Sequence, residues 1–324
     1  MLRAGNSWWF STPGAWRGFP HVQTFRAQAG QSVSLLARGS AVPLLQEQGI
    51  TVTGVCGDHQ IAPDRLRVCE ADAPDPQDIA CDVLIVATKA YQVAEVLKHL
   101  VRKAGAAVAP KAVLLLQNGW GSADEARAAL PADVPVFSSI MMIGIERRSP
   151  THVNVNVQAS PIRVGSVFGA APQGMKDAVS RGQAGFLPIT YEDEIEPAIL
   201  NKFLFNTCLN AIGAITRMTY GELVSNEHAR HLITQVADET IRVILAERRL
   251  ALAPNGATYV EKTLTPFVLP KAAAHRSSML QDVEAGRRTE IDYLNGAVVR
   301  MGQARGIATP ANDAVASLVR AREA

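Results

Sequence analysis

Lys202, Asn206 and Asn210 stand four residues apart in NKFLFNTCLNAIGAI, residues 201–215. Written as a helix, the segment is otherwise apolar nearly all round, with Phe203, Leu204, Phe205, Cys208, Leu209, Ala211, Ile212, Ala214 and Ile215. Residues four apart share one helix face, drifting by about 40° per step. One ammonium and two amides therefore form a polar stripe flanked by bulky apolar side chains. Such a stripe suits a defined chemistry. An ammonium stabilises negative charge developing on a nearby oxygen and can then give up a proton. Apolar walls make that proton easier to release. The amides orient polar groups of a ligand without adding charge. Taken singly, Lys202 can snorkel to solvent near the helix start, and each asparagine can bond a neighbouring helix. Burying a lone ammonium costs several kcal/mol, however, unless it is paired or faces a cleft. Three polar residues in register point to the floor of a cleft.

A second chemical cluster lies in SSMLQDVEAGRRTEIDYLNGAVV, residues 277–299. Ser278 with Gln281 fits a capping box, Gly286 can end that helix, and Thr289 with Asp292 fits a second box. Glu290 then falls in the first turn of a new helix, where the dipole favours an anion. Ile291, Leu294, Val298 and Met301 follow as a core stripe. The serines can be caps only, and Glu290 and Asp292 plain helix-start carboxylates. Hydroxyls and a carboxylate close together at chain turns are also a common arrangement for a site.

The elements that must position these groups divide the chain in two. Short apolar runs alternate with helical patterns up to about residue 190: a strand at 31–37, a helix at 41–49, a strand at 81–88, a helix at 90–104, a strand at 111–117 and a helix at 122–130. Continuous apolar strands alternating with helices predict a parallel sheet covered on both faces. Beyond that point helices dominate. The expected architecture is α/β, a Rossmann-type parallel-sheet domain over 1–190 followed by an all-α domain over 191–324. In an open parallel sheet ligands sit beyond the carboxyl ends of the strands. Three strands end there in polar residues: Arg38, Lys89 and Asn118-Gly119. An arginine after the second strand is either a surface residue in a turn or a partner for the 2′-phosphate that distinguishes NADP from NAD.

The 324 residues carry 32 basic and 30 acidic side chains, a balance that gives no electrostatic case for nucleic acid or an anionic membrane surface. No uninterrupted apolar run reaches the roughly 18 residues of a membrane span. The four cysteines, Cys56, Cys69, Cys81 and Cys208, have no metal spacing. They read as reduced thiols of a cytoplasmic protein.

Together these segments resemble the ketopantoate reductase family. The resemblance is carried by GQSVSLLARG, VLIVATKAYQ, LLLQNGWG, NKFLFNTCLNAIGAI, YGELV, SSMLQD, RRTEIDYLNGAVV and GIATPAN, running in the family's order from about residue 30 to 313. It implies hydride transfer from NADPH to the ketone of 2-dehydropantoate, a small-molecule 2-oxo acid, by a monomer or homodimer. By resemblance, Lys202 falls on the family's catalytic proton donor. Asn206, Asn210 and Ser278 fall on substrate-binding positions. Glu290 falls on a carboxylate by the cofactor, assigned a catalytic part as well. Lys89 and Asn118 fall on strand ends lining the cofactor cleft, Asn118 also being assigned to substrate. Arg38 falls on the 2′-phosphate contact. The stripe then reads as the polar floor of a cleft between two domains.

The resemblance breaks at the start. The family opens with a strand and GxGxxG, whose glycines let backbone N–H groups approach a pyrophosphate. Here the first glycine falls at Gly14, with Trp16 and Phe19 where the second and third belong. SWWFSTP is a poor buried strand, with Pro13 at its end. Three accounts are open: a slip of reading frame over residues 1–27, a catalytically impaired relative with a damaged cofactor loop, or a turn built differently around Gly14 and Gly18. The abrupt start of the resemblance, the preserved length and the tryptophan-rich composition favour the first. The expectation is weak binding of NADPH. Tyr220 and His275 also stand where the family usually offers asparagines, which leaves another branched 2-oxo acid open as substrate.

Overall fold

The computed structural model describes residues 7–12, 32–72, 81–104, 110–158, 160–169 and 188–323, with 173 and 176. The chain divides into two compact units, residues 1–117 with 122–196, and residues 118–121 with 197–324.

The first unit is built on an eight-stranded sheet. Its strands are β1 (Ser7–Thr12), β2 (Ser32–Ala37), β5 (Arg67–Glu70), β6 (Val83–Val86), β7 (Val113–Leu115), β8 (Val136–Ile140), β11 (Ile162–Gly165) and β12 (Ile189–Tyr191), in the spatial order β12-β11-β8-β7-β6-β1-β2-β5. Every neighbouring pair is parallel except β11 with β8. From β1 the chain steps outward through β2 to β5, then returns to β6 on the other side of β1 and steps outward again. The order therefore reverses between β1 and β6, the kind of point where α/β sheets bind ligands.

The apolar runs are continuous because both sheet faces are covered. Leu35, Ile85, Leu114 and Phe137 point into one core, while Leu36, Leu84, Val86, Val113, Leu115 and Val136 point into the other. Helices α2 (Val93–Ala104) and α3 (Ser122–Ala129) cover the second face through Val93, Val96, Leu97, Leu100 and Ala126. The first face is covered by Leu45 of α1 (Ala41–Gln48) and by a second sheet, β4-β3-β10-β9. That sheet is formed by β3 (Ile50–Gly54), β4 (His59–Ile61), β9 (Ile143–Arg147) and β10 (His152–Gln158). Its Val52, Val153 and Val155 are fully buried in the core. Each such side chain contributes about 1.5–3 kcal/mol through removal from water.

SWWFST, a poor strand by its own composition, forms β1 in the middle of the sheet, with parallel neighbours on both sides. Gly14, Trp16 and Phe19 lie outside the described residues.

The second unit is helical: α4 (Glu196–Thr216), α5 (Tyr220–Ser225), α6 (Glu227–Arg248), α7 (Gly256–Tyr259), α8 (Thr265–Ala272), α9 (Ser278–Glu284), α10 (Asn295–Arg305) and α11 (Pro310–Glu323). A π-helical turn, Val260–Leu264, joins α7 to α8. Helix α4 is long and apolar enough to cross a membrane, but 72% of its most apolar window is buried inside the protein. Its apolar sides are used by the fold itself.

A buried polar chain ties α4, α6, α10 and α11 together. Asn295 Nδ2 donates to the Thr207 carbonyl at 3.1 Å and to Asn312 Oδ1 at 3.0 Å. Asn312 Nδ2 donates to Glu239 Oε2 at 2.8 Å. The Glu239 carboxylate also accepts the Ala311 and Asn312 backbone N–H groups, both at 2.9 Å. It thereby satisfies donors left over at the start of α11.

Candidate active site

The stripe forms as its spacing predicts. Helix α4 carries Lys202, Asn206 and Asn210, the lysine half-buried and the asparagines 6% and 3% exposed. Asn206 makes no side-chain hydrogen bond among the described residues, and its Nδ2 is a buried donor without a partner. Leaving a buried donor unsatisfied costs about 1–3 kcal/mol. Asn210 differs, because its Oδ1 accepts the Tyr220 hydroxyl at 2.6 Å.

Ser278 is brought to the stripe by its neighbour. Ser277, fully buried, donates its hydroxyl to the Asn210 carbonyl at 3.1 Å and accepts the Leu280 backbone N–H at 3.0 Å. The cap of α9 is thus Ser277, one residue before the predicted Ser278, which is left half-buried as the first helical residue. Gly286, at φ +61°, stands just past the helix end as expected.

Glu290 is 6% exposed and precedes a short 3₁₀ turn, Ile291–Tyr293, instead of lying inside an α-helix. Thr289 accepts the Ile291 N–H at 3.2 Å, so the predicted box with Asp292 does not form. Asp292 instead pairs with Arg320 and Arg288, and these guanidinium groups hold its carboxyl below the usual range against the opposing effect of burial. Ile291, Leu294 and Val298 are buried and Met301 packs on the core, as the pattern predicts.

Asn118 joins the same unit through the loop after β7. Gly119 adopts φ +90°, and a Cβ there would stand 2.2 Å from the Tyr293 carbonyl oxygen. The Trp120 N–H donates to that carbonyl at 2.9 Å. The Trp120 ring packs on the helical core under Arg248, whose guanidinium carbon lies 4.8 Å from the ring centroid. The loop is pinned to the turn after Glu290, and Asn118 is buried beside it at 7% exposure. Asn295, five residues beyond Glu290, holds the Thr207 carbonyl next to Asn206. One unit therefore supplies Lys202, Asn206, Asn210, Ser278, Asn118 and Glu290, linked by direct hydrogen bonds between their segments.

Arg38 and Lys89 belong to the other unit, at the carboxyl ends of β2 and β6. Arg38 Nε lies 2.6 Å from Asp72 Oδ1 in an ion pair whose arginine side chain is 38% exposed. Lys89 precedes a 3₁₀ turn, Ala90–Gln92, and its N–H is capped by Gln92 Oε1 at 3.3 Å. No cluster of metal-ligating side chains occurs among the described residues. Ser277, which the sequence reading weighs only as a cap, and Asn295, which it leaves out, hold these segments together. The signal for Ser277 is the doubled serine before Met279, where either hydroxyl can serve as cap.

The chemical inventory of the helical unit is one ammonium, several neutral amides, a hydroxyl and one carboxylate. The family described as Ketopantoate reductase PanE/ApbA matches residues 24–168, and its partner, Ketopantoate reductase PanE/ApbA C terminal, matches residues 194–323. A 2-dehydropantoate 2-reductase of Pyrobaculum aerophilum is 33% identical over 260 residues, spanning 80% of this chain and 82% of its own. A PanE/ApbA family ketopantoate reductase from Ralstonia eutropha JMP134 has a crystal structure similar to this one, with a TM-score of 0.80 at 25% identity over 98% of both chains. D-mandelate dehydrogenase in complex with NADH shares the fold, with a TM-score of 0.80 at 23% identity over 98% of both chains. With matches running through both units, the chain belongs to the ketopantoate reductase family of oxidoreductases.

Proposed function

We propose that this protein reduces the ketone of 2-dehydropantoate to (R)-pantoate with NADPH, the step that feeds pantothenate and coenzyme A synthesis. The observation that carries the reading is the Asn206 amide. It is a buried donor without a partner, one helical turn from Lys202. A ligand oxygen there removes the cost of the unsatisfied donor.

Lys202 Nζ gives its proton to the carbonyl oxygen as that oxygen becomes an alkoxide, and until then its charge stabilises the developing anion. Asn206 and Asn210 hold oxygens of the 2-oxo acid without adding charge, and Ser278 adds a hydroxyl. Asn118 serves both substrate and cofactor. Glu290 has a catalytic part beside the nicotinamide.

NADPH supplies the hydride when bound. The sheet unit suits a dinucleotide in two respects. Its strand order reverses between β1 and β6, and its second strand ends in a part-exposed arginine. Arg38 would hold the 2′-phosphate, Lys89 would line the cofactor cleft, and Gly14 would open the pyrophosphate turn. Asp72, paired with Arg38, competes with a phosphate for the guanidinium.

The test is loss of NADPH absorbance when 2-dehydropantoate is added to the purified chain, repeated with NADH. Lys202→Ala is expected to lower kcat about 10²–10⁴-fold, the usual contribution of a positioned proton donor. Equal turnover in that variant would refute its role, and faster turnover with NADH would refute the cofactor assignment.

A further inference from the structure

Among the described residues, Asn210 is the stripe asparagine whose amide is already committed on one side. Its Oδ1 accepts the Tyr220 hydroxyl at 2.6 Å, and both residues are buried, at 3% and 4% exposure. No hydrogen bond from its Nδ2 occurs among the described residues. The oxygen and nitrogen of an amide are nearly isosteric, so an unanchored asparagine can present either a donor or an acceptor to a ligand. With the Tyr220 hydroxyl donating to Oδ1, Nδ2 is the end of the amide left to face a ligand. We propose that Tyr220 is a positioning residue that locks the Asn210 amide, so that Asn210 meets the substrate only as a hydrogen-bond donor.

The local structure gives Tyr220 little freedom. Thr219 and Glu222 form a capping box around it, with the Thr219 N–H donating to Glu222 Oε2 at 2.7 Å. The Tyr220 and Gly221 N–H groups donate to the His275 and Ala273 carbonyls at 3.0 and 2.9 Å. A Cβ at Gly221 would stand 2.9 Å from the Ala273 Cβ, so only glycine permits this close approach. The phenol ring meets the rings of His275 and Phe205 edge to face, at 4.9 and 5.8 Å between centroids. The main-chain carbonyl of Asn210 accepts the Ser277 hydroxyl at 3.1 Å.

The chemical consequence is selective. A donor at Nδ2 accepts as its partner a carboxylate or carbonyl oxygen of a 2-oxo acid, or a hydroxyl through its lone pair. The inference rests on the reductase reading above, because it is substrate that Asn210 is taken to meet.

The experiment is a double-mutant cycle on KM and kcat for 2-dehydropantoate at saturating NADPH, with melting midpoints measured alongside. Tyr220→Phe keeps the ring packing and removes the bond. It is expected to raise KM about fivefold while leaving kcat within about twofold, the loss of one ordinary hydrogen bond in binding. Asn210→Ala is expected to raise KM further, and the double variant to be no worse than Asn210→Ala alone. Asn210→Asp keeps an acceptor for Tyr220 but replaces the donor by an anion, and is expected to raise KM more than Tyr220→Phe does. Additive penalties in the cycle, or unchanged KM in Tyr220→Phe or Asn210→Asp, would overturn the role of Tyr220 while the reductase reading stands. A wild-type chain without turnover on 2-dehydropantoate would overturn both.

Discussion

Burial of His275 against the Tyr220 ring favours its neutral form and lowers its pKa. The unfolded chain carries this histidine at the ordinary value of about 6.5. As pH falls through that value the unfolded state takes up the proton first, so stability declines until the depressed folded value is reached. Above the ordinary value the group contributes nothing to pH dependence. The melting midpoint of the wild type is therefore expected to fall relative to His275→Asn as pH drops below about 6.5, with a constant difference between the two at higher pH. Parallel midpoint curves from neutral to acid pH would refute this. The stripe on α4 was legible in the sequence because four-residue spacing on a long apolar helix has one geometric meaning. The choice of Ser277 over Ser278 as cap was not. Two adjacent hydroxyls are equivalent in sequence, and only the fold brings one of them under the Asn210 carbonyl.

Among the elements, the loop after β7 packs on the turn that follows Glu290, and its glycine can be tested. Gly119→Ala combines a left-handed φ with a Cβ 2.2 Å from the Tyr293 carbonyl oxygen. The expected cost is roughly 2–4 kcal/mol, the sum of a strained backbone and an overpacked contact. Because Asn118 rides on this loop, kcat/KM should fall with the melting midpoint. A variant with unchanged midpoint and activity would show that the loop does not depend on this close approach. The parallel strands and their helices were readable because burial on both faces demands continuous apolar runs. The second sheet was harder to read. In HVNVNVQ the valines alternate with polar residues, since only Val153 and Val155 face the core while His152, Asn154 and Asn156 form the other face. β3 and β4 are shorter still: β3 acquires its identity by pairing with β10 across about a hundred residues of sequence, and the edge strand β4 by pairing with β3. β1 is a strand for a similar reason. Its composition argues against burial, but β2 and β6 offer hydrogen-bonding edges on both sides.

Across the whole molecule, the two halves carry different amounts of their family's pattern. The helical unit matches from residue 194 to 323, and the sheet unit from residue 24. A pyrophosphate bound at a strand-to-helix turn needs backbone N–H groups at close range, which glycines allow and large side chains obstruct. Trp16 and Phe19 stand at two of the expected glycine positions. Losing two such hydrogen bonds to a charged group removes about 3 kcal/mol, on the order of a hundredfold in affinity. The chain is therefore expected to bind NADPH weakly and to work only at high cofactor concentration. A variant carrying Trp16→Gly and Phe19→Gly should bind about a hundredfold more tightly if the turn otherwise forms. Titration of both proteins by nicotinamide fluorescence reads this directly, because it needs no substrate and does not involve Lys202. Tight NADPH binding by the wild-type chain would mean that the turn is made differently, around Gly14 and Gly18. Resequencing the codons for residues 1–27 separates a slipped reading frame from a genuine change in the encoded loop. With a slipped frame, the corrected segment should restore glycines at all three positions and tight NADPH binding with them.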